Sequence, residues 1–200
     1  MRRGFMLPIL VVAGLLIGLA AFVYTLRYGL SAHDKPTAIE AFIADRMRHW
    51  SVPSDLHKAN NPLPLTPELL AEARAHFADH CAICHANDGK GKTEMGQRLY
   101  PRAPDMTLEE TQSQSDGDLF ATIENGVRLT GMPGWGEGTA ESAHGSWALV
   151  HFIRHLRKIT PEELAEMEKL NPKSPEEWQE MQAEEKFLKG GNTSPHQHHH

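Results

Sequence analysis

The only two cysteines in the chain, Cys81 and Cys84, stand in the run Cys81-Ala82-Ile83-Cys84-His85. Two thiols at this spacing can form thioethers to the two vinyl groups of a porphyrin, while the imidazole that follows reaches the iron from one face. The pattern predicts one covalently bound haem c, with Cys81 and Cys84 as its attachment points and His85 as an axial ligand. A redox dithiol has no use for the adjacent histidine, and a four-cysteine zinc cage would need a second CxxC that this sequence does not contain.

The opposite face of the iron needs a ligand too. Of the eight methionines, Met132 is the best placed, in a Gly131-Met132-Pro133-Gly134 loop well downstream of His85. Glycine lets such a loop approach closely and proline stiffens it. Met106 and Met167 fall at apolar positions and read as core fillers. His76, His80, His151 and His155 lie on expected helices and read as surface or internally satisfied groups; they become rivals only if Met132 is not the ligand. A thioether opposite an imidazole raises the reduction potential and closes the iron to small molecules, which favours electron transfer. No acid, base or nucleophile constellation stands beside the motif, so catalysis is not expected.

The elements that must position these residues are mostly helical. Thr66 is a helix cap with Pro67 at the first helical position, and good helix formers continue through Phe77, just before the cysteines. Residues 85–116, rich in glycine, proline and short polar residues, should be mostly loop. A second helix is expected over Asp118 to Asn125, closed by Gly126, and a third over Ser146 to Leu156, with Leu149, Phe152, Ile153 and Leu156 on one face.

In this order of parts, the segment from about Leu65 to Lys158 resembles the class I cytochrome c family. Members place a small residue and an aromatic eight and four positions before the first cysteine, where the first and last helices cross. Ala73 and Phe77 stand there, and Leu149, Phe152 and Ile153 look like their partners. Pro104-Asp105-Met106 is similar to the family's Pro-x-Leu segment, whose proline carbonyl accepts the proton on the far nitrogen of the ligating histidine. Pro101 is the alternative acceptor in the longer loop here. Tyr100, Arg128 and Trp135 are candidates to contact the haem or its propionates in the family's manner, Arg128 because buried carboxylates need a donor. The resemblance implies a mainly α, cytochrome c-like fold of three or more helices with long loops around one covalently bound haem, preceded here by one transmembrane helix.

That helix is the uncharged run from Phe5 to Leu26, about 33 Å long at 1.5 Å per residue and enough to cross a bilayer. A cleaved signal peptide, with Gly18 and Ala20 near a cleavage site, is the competing reading. Arg2 and Arg3 place the bulk of the chain outside the cytoplasm, in the periplasm of a bacterial inner membrane. Four regions are expected: an anchor over 1–32, an amphipathic helix and linker over 33–64, the cytochrome domain over 65–159, and a charged helical tail over 160–200. In the second, Ile39, Phe42, Ile43, Met47 and Trp50 recur at helical spacing, and the helix is expected to pack on its own protein rather than on the membrane surface. Pro53, Pro62 and Pro64 mark a polar linker. In the tail, helices near Pro161 to Leu170 and Pro175 to Leu188 are expected, with Trp178 and Phe187 as docking residues.

His196, His198, His199 and His200 at the chain's end could capture copper, zinc or nickel, a purification tag being the trivial alternative. A net charge of -6 argues against nucleic acid as a partner, and 40% hydrophobic with 23% charged residues fits a globular chain. The function read from these features is a membrane-anchored, single-haem carrier exchanging electrons with redox protein partners. The rivals are a haem subunit of a larger membrane oxidoreductase, or a metal-handling or sensing haem protein.

Overall fold

A computed structural model describes residues 3–29, 31–173 and 175–188. The histidine-rich end and the side chain of Trp178 lie outside the described residues. Within them every regular element is helical and there is no strand. Helix α1 spans Arg3–Tyr28, and its Pro8–Arg27 stretch has a mean hydropathy of 2.6 with none of it buried against the rest of the chain.

Helix α2, Ala38–Ser51, starts at a capping box in which Thr37 Oγ1 accepts from the Glu40 amide while Glu40 accepts from the Thr37 amide. The expectation that its apolar face packs on the protein is not met. Ile39, Phe42, Ile43, Met47 and Trp50 are 51–77% exposed. The polar half of α2 meets the rest of the chain instead. Arg48 donates to Gln114 at 3.0 Å, His49 lies against His57 with ring centroids 4.3 Å apart, and Glu40 meets the Tyr100 hydroxyl. These groups present a polar surface, on which an apolar stripe would bury nothing useful.

The proline-punctuated stretch read as a linker is also docked. A single 3-10 turn, Leu56–Lys58, leads into hydrogen bonds from the Asn61 amide to Asp116, from the Asn61 side chain to the Trp147 carbonyl, and from His151 to the Leu63 carbonyl. Its polarity reflects partners some sixty or more residues away, which local composition does not reveal.

The segment expected over 65–159 begins with α3, Pro67–His76, capped by Thr66 Oγ1. The helix does not stop before the cysteines. It widens into a π-helical turn over Phe77–Cys81 and resumes as α4, Ala82–His85. Short helices α5, Glu94–Arg98, and α6, Glu109–Gln112, interrupt the following loop. Helix α7 runs Asp116–Asn125 and α8 runs Ala140–His155, starting earlier than expected because Thr139 caps it on the Ser142 amide.

The core is the crossing of α3 with α8. Ala73, Phe77, Ala148, Leu149, Phe152 and Ile153 are all buried, and the Phe77 and Phe152 rings lie 4.9 Å apart at 51°. Met106 and Met167 are buried in the same cluster. Met167 belongs to α9, Pro161–Leu170, which Glu163 and Glu166 clasp to Arg74 of α3 at 2.9 and 2.5 Å. The charged tail therefore docks through Met167, whereas Phe187, on the last helix α10, Pro175–Leu188, is 48% exposed. The reading of Met167 as a core filler is met, and it is this residue rather than Phe187 that carries the docking.

Candidate haem-binding site

The π-helical turn sets the CxxCH motif at the inner end of α3. One extra residue per turn rotates Cys81, Cys84 and His85 relative to the helix before them, a device found often at functional sites. Phe77 opens that turn and its ring centroid lies 6.5 Å from that of His85, so the core crossing directly backs the imidazole. After His85 the chain turns sharply, with Ala86 at φ 59°. Thr93 caps α5 and also donates to the Cys84 carbonyl at 3.2 Å. Gly96 of α5 sits so close to that carbonyl that a Cβ there would collide with it, so the loop is folded onto the motif itself.

Neither cysteine is in a disulfide, and both thiols are pushed up in pKa. Burial, and then the neighbouring Cys84, raise Cys81 to about 12, and burial raises Cys84. A reactive dithiol shows the reverse, a thiolate favoured by its surroundings. Burial likewise lowers the pKa of His85, which holds the imidazole neutral, the state a metal ligand requires. His85 Nδ1 is a buried ring nitrogen with no hydrogen-bond partner. Such an orphan costs about 1–3 kcal/mol.

The expected bond from that nitrogen to the Pro104 carbonyl, or to that of Pro101, is therefore not made. The backbone between them is committed elsewhere: Gly91 donates to the His85 carbonyl, Ala103 to Gly96 and Met106 to Gly89. Pro104 is exposed. Haem-binding residues do fit the site on the chain's own chemistry. It offers two neutral thiols and an imidazole that burial keeps neutral, a donor set suited to two thioethers and one iron bond; the iron bond would fall to Nε2, across the ring from the unpartnered Nδ1.

Met132 is partly buried in a loop tied back to α7. Val127 donates to the Met132 carbonyl, Met132 to Thr130 Oγ1, and Trp135 and Gly136 to the Ile123 and Glu124 carbonyls. Gly126, at φ 63°, lies so near Pro133 and Gly134 that no side chain would fit. On one side of Met132, Gly131 abuts Leu99 of the loop that follows the motif; on the other, the Trp135 ring meets His80 edge-on at 5.6 Å. The two contacts bracket Met132 with segments flanking Cys81 and His85. Leu99 was not picked out from the sequence, since an isolated leucine carries no pattern, and His80 was read there only as a surface or internally satisfied histidine.

Among the other expected haem contacts, Trp135 packs against the core and His80, Arg128 is exposed beside an equally exposed Leu129, and Tyr100 is turned toward Glu40 of α2. His151 bonds the Leu63 carbonyl and His155 bonds Glu163 at 2.9 Å, so both are satisfied within the fold. His76 and His80 meet each other edge-on at 4.8 Å.

A helical crossing that backs a CxxCH motif, with a methionine loop bracketed against it, defines a class of proteins. The comparison by sequence agrees: residues 68–153 match the family described as cytochrome c oxidase, cbb3-type, subunit III. This segment is a c-type cytochrome domain, the electron-carrying kind of haem protein. Among individual proteins, the Cbb3-type cytochrome c oxidase subunit FixP of Rhizobium meliloti (strain 1021) is 32% identical over 78 residues, which make up 39% of this chain. The match covers 26% of that relative's length.

Proposed function

We propose that this chain is a membrane-anchored, single-haem cytochrome c that passes electrons one at a time between redox proteins on the periplasmic side of a bacterial inner membrane. Cys81 and Cys84 would attach the haem, and His85 and Met132 would be its axial ligands. The haem supplies an iron that cycles between two oxidation states. The chain's own residues favour the neutral imidazole by burial and back it with Phe77 and the α3–α8 crossing, and the Met132 loop would lie over the motif. Arg128, with no ion pair among the described residues, is free to meet a propionate.

The observation that carries this reading is the His85 imidazole directly after two thiols, kept neutral by desolvation and with its buried Nδ1 unpartnered. Protein made with a haem-maturation system should keep its pigment through acidic organic extraction and denaturing electrophoresis, one haem per chain. Cys81→Ser with Cys84→Ser should lose it. Colourless protein, or pigment that washes out, overturns the reading.

Membrane anchoring is supported by the length and hydropathy of α1 and by its lack of any cover within the chain. Arg2 and Arg3 before the apolar run favour a periplasmic haem domain. The bare apolar arc of α2 follows α1 after residues 29–37, a tether of about 30 Å at most, and would lie in the membrane surface.

A second reading, a fixed haem subunit of a larger oxidase, draws on the likeness to FixP. It keeps the same chemistry and changes only the partner. Purification in mild detergent separates the two: a second polypeptide at fixed ratio supports the subunit, and a lone haem protein supports the carrier.

A further inference from the structure

Where the polar half of α2 meets the haem domain, three metal-ligating side chains from three separate elements converge. They are His49 of α2, His57 of the 3-10 turn and Asp118 of α7, and one ligand atom from each lies within 4.8 Å of the other two. His57 Nδ1 stands 2.6 Å from Asp118 Oδ1, and the His49 ring lies over the His57 ring at 4.3 Å and 32°. His57 and Asp118 are each 20% exposed and His49 is exposed, which leaves water free to complete a coordination shell.

We propose that His49, His57 and Asp118 bind one divalent transition metal of the zinc class, and that the ion fastens α2 to the haem domain. Two imidazoles and one carboxylate are a usual zinc donor set, with a water in the fourth position. Tetrahedral bonds of about 2.0–2.2 Å place donor atoms about 3.3 Å apart, so small side-chain rotations bring this group from its present spacing to a bound one. Side by side, the two imidazoles would repel each other if both took up protons, whereas a shared cation uses both lone pairs. Among the described residues α2 meets the domain through polar contacts near the surface, such as Arg48 to Gln114, which are weak ties. The cluster lies outside the CxxCH site and its binding does not depend on haem.

The test uses the full-length, haem-loaded protein in detergent, with His196, His198, His199 and His200 all replaced by serine so that the tail does not compete. Equilibrium dialysis against Zn²⁺ should give one tightly held ion per chain, and zinc-edge absorption should show two imidazoles and one carboxylate oxygen. His49→Ala, at an exposed position with no core contact, should weaken binding at least tenfold, as should Asp118→Asn, with the haem spectrum unchanged. Zinc should slow amide exchange in α2 of the parent protein and not of His49→Ala. Unaltered affinity in His49→Ala, a zinc shell with a single imidazole, or no binding below about 100 μM, some 5–6 kcal/mol of affinity, overturns the proposal.

Discussion

His85 has a buried ring nitrogen that no group among the described residues satisfies, and burial keeps the ring neutral. A histidine kept for stability alone would have found a carbonyl, as His151 does at Leu63. Met132 is placed by backbone bonds at its own amide and carbonyl, so its thioether can be removed without unfolding the loop. Met132→Ala should keep haem attached at one per chain, abolish the ferric thioether-ligation band and lower the reduction potential, as read by spectroscopy and redox titration. Glu163 carries a different residue-scale prediction. Burial raises its pKa, but the hydrogen bonds from His155 and Thr160 and the charge of His155, with Arg74 adding its bond, outweigh that and leave it depressed. A depressed carboxylate stabilises the fold above its unfolded pKa of about 4.5, and that contribution is lost as pH falls through the lower folded value. Denaturation midpoints should therefore drop below about pH 4.5, and Glu163→Gln should flatten that part of the profile.

At the scale of elements, the π-helical turn between α3 and α4 is the joint that presents the motif, and the α3–α8 crossing is what holds it. Phe152 is fully buried against Phe77, so Phe152→Ala should cost about 3–5 kcal/mol in denaturant unfolding. Met167 is equally buried, and Met167→Ala should cost about 2–5 kcal/mol if α9 unfolds together with the cytochrome segment. A small or absent effect there would show α9 to be a detachable appendage. Gly117 of α7 faces the Leu56 carbonyl with no room for a Cβ. Gly117→Ala should destabilise by about 1–3 kcal/mol and expose residues 56–59 to limited proteolysis.

For the molecule as a whole, the uncovered faces of α1 and α2 decide where it sits. If both native cysteines are in thioether linkage, a cysteine placed at Leu16 or Ile43 is the single free thiol, and a nitroxide there reports depth in a vesicle. Leu16 should read near the bilayer centre and Ile43 at headgroup depth. An aqueous signal from Leu16 would remove the anchor, whereas one from Ile43 alone would remove only the surface role of α2.

The CxxCH motif, the Thr66 cap and the core of the cytochrome segment were legible in the sequence because each depends on neighbours within a few residues. CxxCH is a local chemical unit, Thr66-Pro67 is a local cap, and Leu149, Phe152 and Ile153 show a helical period. What only the tertiary structure decided involves partners far apart in the chain. It turned the apolar face of α2 outward, docked the proline-rich stretch through Asn61 and Leu63, paired Glu163 and Glu166 of α9 with Arg74, and left His85 Nδ1 without Pro104. Periodicity says that a helix has an apolar face, but which surface that face meets depends on the polarity of groups brought there by the rest of the fold.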